Sequence, residues 1–147
     1  MNVTVSVNTT TKIVCGQVTS LSPFALFSPV SPYHALVQQP INSDGSSVFS
    51  ATKGVVPVKF TLMQNNSPTC SLLAATIAVT RTAGGTTGAI DETVYTISAD
   101  SGSNFRIDST ACQYVYNVAA KALGTGIYRV DIVINGNAVG SGVFALK

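Results

Sequence analysis

The chain has no tryptophan, a single histidine and very few charges. Asp, Glu, Lys and Arg together make up 10% of its 147 residues, against roughly 25% in an average soluble domain. Each shortage excludes something. The eight Lys and Arg are scattered, and the net charge is only +2, so no basic stripe exists to track a phosphate backbone. No nucleic-acid partner is expected. Mean hydropathy is high, +0.37, yet no apolar run approaches the ~18 residues of a membrane helix. No membrane span is expected. The opening residues MNVTVSVNTTTK lack the charged and apolar regions of a signal peptide, so secretion would imply a signal removed or encoded upstream.

Catalytic chemistry is equally short of parts. A nucleophilic site needs a base held by an orienting acid, and the only histidine, His34, falls beside Tyr33 in a proline-rich stretch. Cys15, Cys70 and Cys112 are widely separated and form no CxxC pair, so with one histidine they make no zinc pattern. The reading is non-enzymatic and without a cofactor. One alternative is calcium, which needs six to eight oxygens. Asp91 and Glu92 are adjacent, and Asp100-Ser-Gly-Ser-Asn104 places Asp100 and Asn104 on one loop. The competing reading of that loop is a turn in which Asp and Asn bond their own backbone.

Helical periodicity is nearly absent, with Asn117–Leu123 long enough for one turn only. What is present is strand alternation. Val3, Val5 and Val7 alternate with polar residues, and Ile13–Val18 follows, which suggests an N-terminal hairpin or donor segment over residues 1–18. Residues 19–53 hold Pro23, Pro29, Pro32 and Pro40 and read as a Pro/Ser-rich linker, with Phe24, Leu26, Phe27 and Tyr33 available to dock. From Gly54 to Lys147, about seven short strands separated by turns predict an all-β, immunoglobulin-like sandwich. Asn135-Gly136 between two apolar runs marks a hairpin.

Within that sandwich Val56, Val58, Phe60 and Leu62 fall on one face, and Val55, Pro57, Lys59 and Thr61 on the other. Proline and lysine together are features of an edge strand protected from stray pairing, so Lys59 is expected to be structural. Tyr95, Tyr114, Tyr116 and Tyr128 lie in the expected strands. Without tryptophan, core packing with the hydroxyl at the rim is preferred over a sugar-binding platform, and carbohydrate is an unsupported partner. Cys70 and Cys112 both belong to the sandwich. A bond between them in an oxidising compartment would contribute about 3–4 kcal/mol. Pairs with Cys15 and a fully reduced chain are the alternatives.

The ordered motifs Val56-Pro57-Val58-Lys59-Phe60, Phe105–Asp108, Gln113–Asn117 and Gly126–Arg129, closed by a hairpin ending at Lys147, resemble the bacterial PxKF domain. This small β-sandwich module is found at the C-terminus of large secreted or surface proteins. The likeness covers residues 52–147. Residues 1–30 resemble the closing strands of a preceding extracellular β-domain. The resemblance implies an extracellular or cell-surface module for adhesion, display or protein contact, with Pro57, Lys59 and Phe60 as its motif and no catalytic or ligand residues to carry over. The partner is expected to be another protein or copies of the chain itself. In the second case, residues 3–18 would add as a strand to a neighbour and build a filament.

Overall fold

A computed structural model describes residues 4–10, 13–17, 31–85, 89–90 and 95–147. Val3, Val18, Phe24, Leu26, Phe27, Asp91 and Glu92 lie outside them, as does most of the Gly-rich turn after Gly85. The chain divides into two compact units, Met1–Val30 and Ser31–Lys147.

In the first unit, β1 (Thr4–Asn8) pairs antiparallel with β2 (Ile13–Gly16). Val7 stands opposite Val14 and Asn8 opposite Ile13. Asn8 Oδ1 accepts from Thr10 N–H in the turn. The apolar side of β1 is solvated, with Val5 67% and Val7 60% exposed.

The second unit is the sandwich. Its strands are β3 (Tyr33–Gln38), β4 (Val48–Phe49), β5 (Val55–Gln64), β6 (Ser67–Thr69), β7 (Ala75–Ala83), β8 (Arg106–Asp108), β9 (Gln113–Ala119), β10 (Gly126–Ile134) and β11 (Asn137–Leu146). One helical turn, α1 (Ala120–Leu123), follows β9. One sheet runs β4-β11-β10-β7, and the other runs β3-β5-β9-β8 with β6 paired to β5. Alternation sets the faces. Val56, Val58, Phe60 and Leu62 point inward and are at most 1% exposed, facing Tyr128, Val130, Ile132 and Ile134 from the other sheet. Phe60 stacks on Tyr114 with ring centroids 4.3 Å apart and meets Phe105 edge-on at 4.9 Å. Aromatic pairs of this kind add about 0.5–1.5 kcal/mol each beyond area burial.

Asn135 and Gly136 both have positive φ, 51° and 77°, which is the turn a tight hairpin between twisted strands needs. A second such turn, at Asn65 (49°) and Asn66 (63°), joins β5 to β6.

Two expectations are corrected. Residues 31–53 are not linker: β3 is built into one sheet, and β4 pairs in parallel with the end of β11. The same stretch supplies Ile41 and Phe49 to the core. Pro32 and Pro40 flank β3 instead of interrupting it, so the ladder loses no donor. Nor is β5 an edge strand, because β3 and β9 lie on its two sides. The ladder accommodates Pro57 for a local reason. Asn117, opposite Pro57, gives its N–H to Asp100 Oδ2 at 2.8 Å and takes Asp100 N–H on its carbonyl at 3.0 Å. Asn117 thus bonds away from β5, and Pro57 in turn aims its nitrogen toward the β3 side. There β3 has already ended, at Gln38 opposite Lys59, and Val55 N–H is taken by Tyr95 O at 3.0 Å. Pro57 occupies the one position between them that needs no donor.

Close contact between β3 and β11 depends on a missing side chain. A Cβ on Gly140 would lie 2.6 Å from Ala35 O and 2.8 Å from Ala35 Cβ. Gly140→Ala is therefore expected to push β3 away and cost about 1–3 kcal/mol, measured as a drop in urea midpoint at constant slope. An unchanged midpoint would mean that β3 contributes nothing to the sandwich.

Candidate functional site

The outer face of the β5-β9-β8 sheet carries the motif residues and is covered by a strap. Pro57 and Lys59 come from β5, Val115 and Asn117 from β9 and Arg106 from β8. Tyr95 to Asp100 crosses above them, and together they line a cavity of about 530 Å³. The strap is tied at both ends: Val55 N–H donates to Tyr95 O, Asp100 N–H donates to Asn117 O, and Asn117 N–H donates to the Asp100 carboxylate. In between, Asn117 Nδ2 donates to Ser98 O at 3.1 Å.

Burial follows from this cover. Pro57 is less than 2% exposed and Asn117 4%, although alternation places both on the face away from the core. Lys59 is half-buried. Among the described residues no carboxylate lies within ion-pair distance of it. Phe60, the last motif residue, is wholly in the core. The motif therefore spans both faces: Phe60 packs inward, while Pro57 and Lys59 form the floor of the cavity.

Asp100 is the only described carboxylate in the cavity lining. It makes a two-pronged contact with Arg106, Nε to Oδ1 at 2.9 Å and Nη2 to Oδ2 at 3.0 Å, the geometry in which guanidinium–carboxylate pairs are strongest. Partial burial pushes its carboxyl up. The Arg106 hydrogen bond, the Asn117 N–H and the Arg106 charge outweigh this and hold it below the ordinary value of 3.8.

Asp100 and Asn104 do not face one another as a ligand set. Asp100 turns to Arg106 and Asn117, while Asn104 forms a bridge to Thr76. Nor does the loop close on its own backbone as an Asp turn: the oxygens that would have done so are given to β8 and β9. Among the described residues no group of three or more His, Cys, Asp or Glu stands together.

The other candidates separate cleanly. Cys70 and Cys112 are joined by a disulfide, with Cα atoms 5.1 Å apart, between the end of β6 and the start of β9. Beside it, Tyr114 O–H donates between the carbonyls of Ser71 and Leu73, both at 3.0 Å, so the chain after Cys70 is held at two points. Burial pushes the Tyr114 phenol up, partly offset by the Leu73 bond. Cys15 is a free, exposed thiol. Tyr114, Tyr116 and Tyr128 are buried core residues that hydrogen-bond carbonyls, and they form no exposed platform. Only Tyr95, half-buried on the strap, faces a cavity. His34 is exposed on β3, at a second cavity of about 460 Å³ shared with Arg129 and Asn42. No described carboxylate is within ion-pair distance of it.

Sequence reasoning passed over Asn117 and Arg106. One signal was available: in a chain with six acidic residues, an Asp and an Arg six positions apart around a Gly-Ser loop are a candidate ion pair. Compared with protein-family models, curated proteins and solved structures, the chain matches none.

The depressed Asp100 carboxyl has a testable sign. A carboxylate whose folded-state value lies below its unfolded one stabilises the fold above the unfolded value, and that stability is lost as pH falls through the folded one. Asp100→Asn is expected to lower stability by a constant amount near neutral pH. The gap should close as pH falls below 3.8, read from denaturation midpoints across an acid series. A gap that stays constant down to pH 2 would show that the carboxylate charge is not what anchors the strap.

Proposed function

We propose that the chain is a non-enzymatic β-sandwich module of an extracellular or cell-surface setting, working through contact with other proteins. The observation that carries this reading is the Cys70–Cys112 disulfide. Cys70 is exposed and Cys112 half-exposed, and a bond so accessible persists in oxidising compartments and is reduced in the cytosol. The resemblance to the PxKF domain points the same way. The sandwich offers surfaces for contact in its solvated strand edges. Among the described residues the second half of β7 pairs with β10 on one side only, and an edge of this kind is a template for strand addition.

A second reading is favoured by one observation, the solvated valines of β1. An alternating strand with Val5 and Val7 largely exposed has an apolar face to bury, and burial at about 25 cal/mol per Å² rewards addition to another copy. In that case the chain is a subunit of an extracellular filament or surface polymer.

Light scattering after size exclusion separates the two. Residues 31–147 contain every described core residue and serve as the comparison. A full chain that is monomeric at every concentration, like the truncated one, supports the contact module. Mass that grows with concentration and is lost on truncation supports the polymer. The compartment is tested through Cys70→Ser/Cys112→Ser. The double variant is expected to lose about 3–4 kcal/mol in the chain-entropy account. Equal stability of the oxidised protein and the variant would remove the main support for an oxidising setting.

A further inference from the structure

The cavity beneath the strap brings together a primary amine, a carboxamide and a carboxylate. Lys59 stands opposite Val115, and Asn117 opposite Pro57, on the same outer face of the antiparallel β5–β9 pair. They are therefore diagonal neighbours, about 7–8 Å apart at Cα and somewhat less at Cβ, within reach of a long side chain. Both line the same cavity.

Their states are unusual for an outer sheet face. Lys59 is half-buried without a described counter-ion. Asn117 is 4% exposed, its Nδ2 fixed on Ser98 O, and its Oδ1 buried with no hydrogen-bond partner. A buried acceptor left unpaired is destabilising, and neither the fold nor the contact reading accounts for it. Asp100 lines the same cavity, its Oδ2 accepting from the Asn117 backbone N–H at 2.8 Å, which places a carboxylate within the site.

We propose that Lys59 and Asn117 are the two halves of an intramolecular isopeptide bond, with Asp100 as the proton carrier. Asp100 lies beyond ion-pair distance of Lys59, so its carboxylate takes the ammonium proton through water in the open cavity, and the freed amine is the nucleophile. Lys59 Nζ attacks Asn117 Cγ, forming the new C–N bond and placing negative charge on Oδ1. As that charge returns to the carbonyl, the Cγ–Nδ2 bond breaks. Asp100 returns its proton to Nδ2 and relays the second Nζ proton, and nitrogen departs as ammonium. Ammonium and carboxamide go in, amide and ammonium come out, and Asp100 ends as it began. No oxidant, metal or co-reactant is required. The open mouth of the cavity lets ammonium leave. Buried Pro57 beside Asn117 keeps water from the product amide.

The bond would join the two central strands of the sheet and enclose the Cys70–Cys112 disulfide within the loop it closes. It stands apart from the contact reading, since a cross-linked sandwich can serve either as a module or as a polymer subunit.

The test is the intact mass of the full chain after reduction and denaturation, followed by a peptide map. The wild-type chain is expected to be lighter than its sequence by one ammonia. A branched peptide should contain both Lys59 and Asn117, with no tryptic cleavage after Lys59. Lys59→Arg and Asn117→Ala should each have their full sequence mass, and Asp100→Ala should lose ammonia slowly or not at all. A wild-type chain at full sequence mass overturns the proposal. So does an ammonia loss that persists in Lys59→Arg, as cyclisation at Asn135-Gly136 would produce. Prompt loss in Asp100→Ala overturns the role assigned to Asp100.

Discussion

The sandwich depends on the ladder between β5 and β9. Its inner face is where Phe60 lies flat on Tyr114 and where Val56 and Val58 meet Val118 and Tyr116 across the strands. Its outer face is the floor of the strapped cavity. Because side chains alternate with a period of two, a slip of one residue would exchange the two faces entirely. A slip of β5 would put Lys59 into the core and Phe60 onto the outer face. The desolvation cost of a buried, unpaired ammonium makes that register inaccessible. One pairing thus selects the core and the cavity together.

Covalent and polar ties reinforce this ladder at its ends. The Cys70–Cys112 disulfide and the Tyr114 hydroxyl hold the segment between β6 and β7 against the start of β9. At the far end, Asp100 links β8 to β9 by accepting from Arg106 and Asn117 at once. Gly140, by lacking a side chain, lets β3 close on β11. These features are short-ranged and specific, whereas the aromatic core between the sheets supplies the non-directional stability.

Much of the fold was legible in the residues because it is local. Val56 to Leu62 and Tyr128 to Ile134 alternate cleanly, and Asn135-Gly136 can hardly be anything but a hairpin turn. The expected helix was one turn long and is so. Residues 31–53 differ from the linker their composition suggests for a physical reason. Proline density suggests a linker, but Pro32 and Pro40 sit at the ends of β3, where no ladder donor is lost. The short parallel pairing of β4 with β11 leaves no periodic signature at all. The same holds for Cys15: its exposure depends on what packs near β2, and spacing along the chain does not report it.

The all-β class, the inward set of apolar residues and the Asn135-Gly136 turn can be read from the residues alone. So can the set of residues that share the outer face of β5. These follow from strand geometry and from backbone preferences that act over a few residues. Only the tertiary structure decided what covers that face. The Tyr95–Asp100 strap is brought there by contacts to Val55, Arg106 and Asn117, which are distant along the chain. That cover turns Pro57 and Asn117 from surface residues into buried ones and leaves Lys59 in one cavity with a carboxamide whose Oδ1 has no partner. Alternation says which way a side chain points, but burial and reactivity depend on what the rest of the chain lays over it.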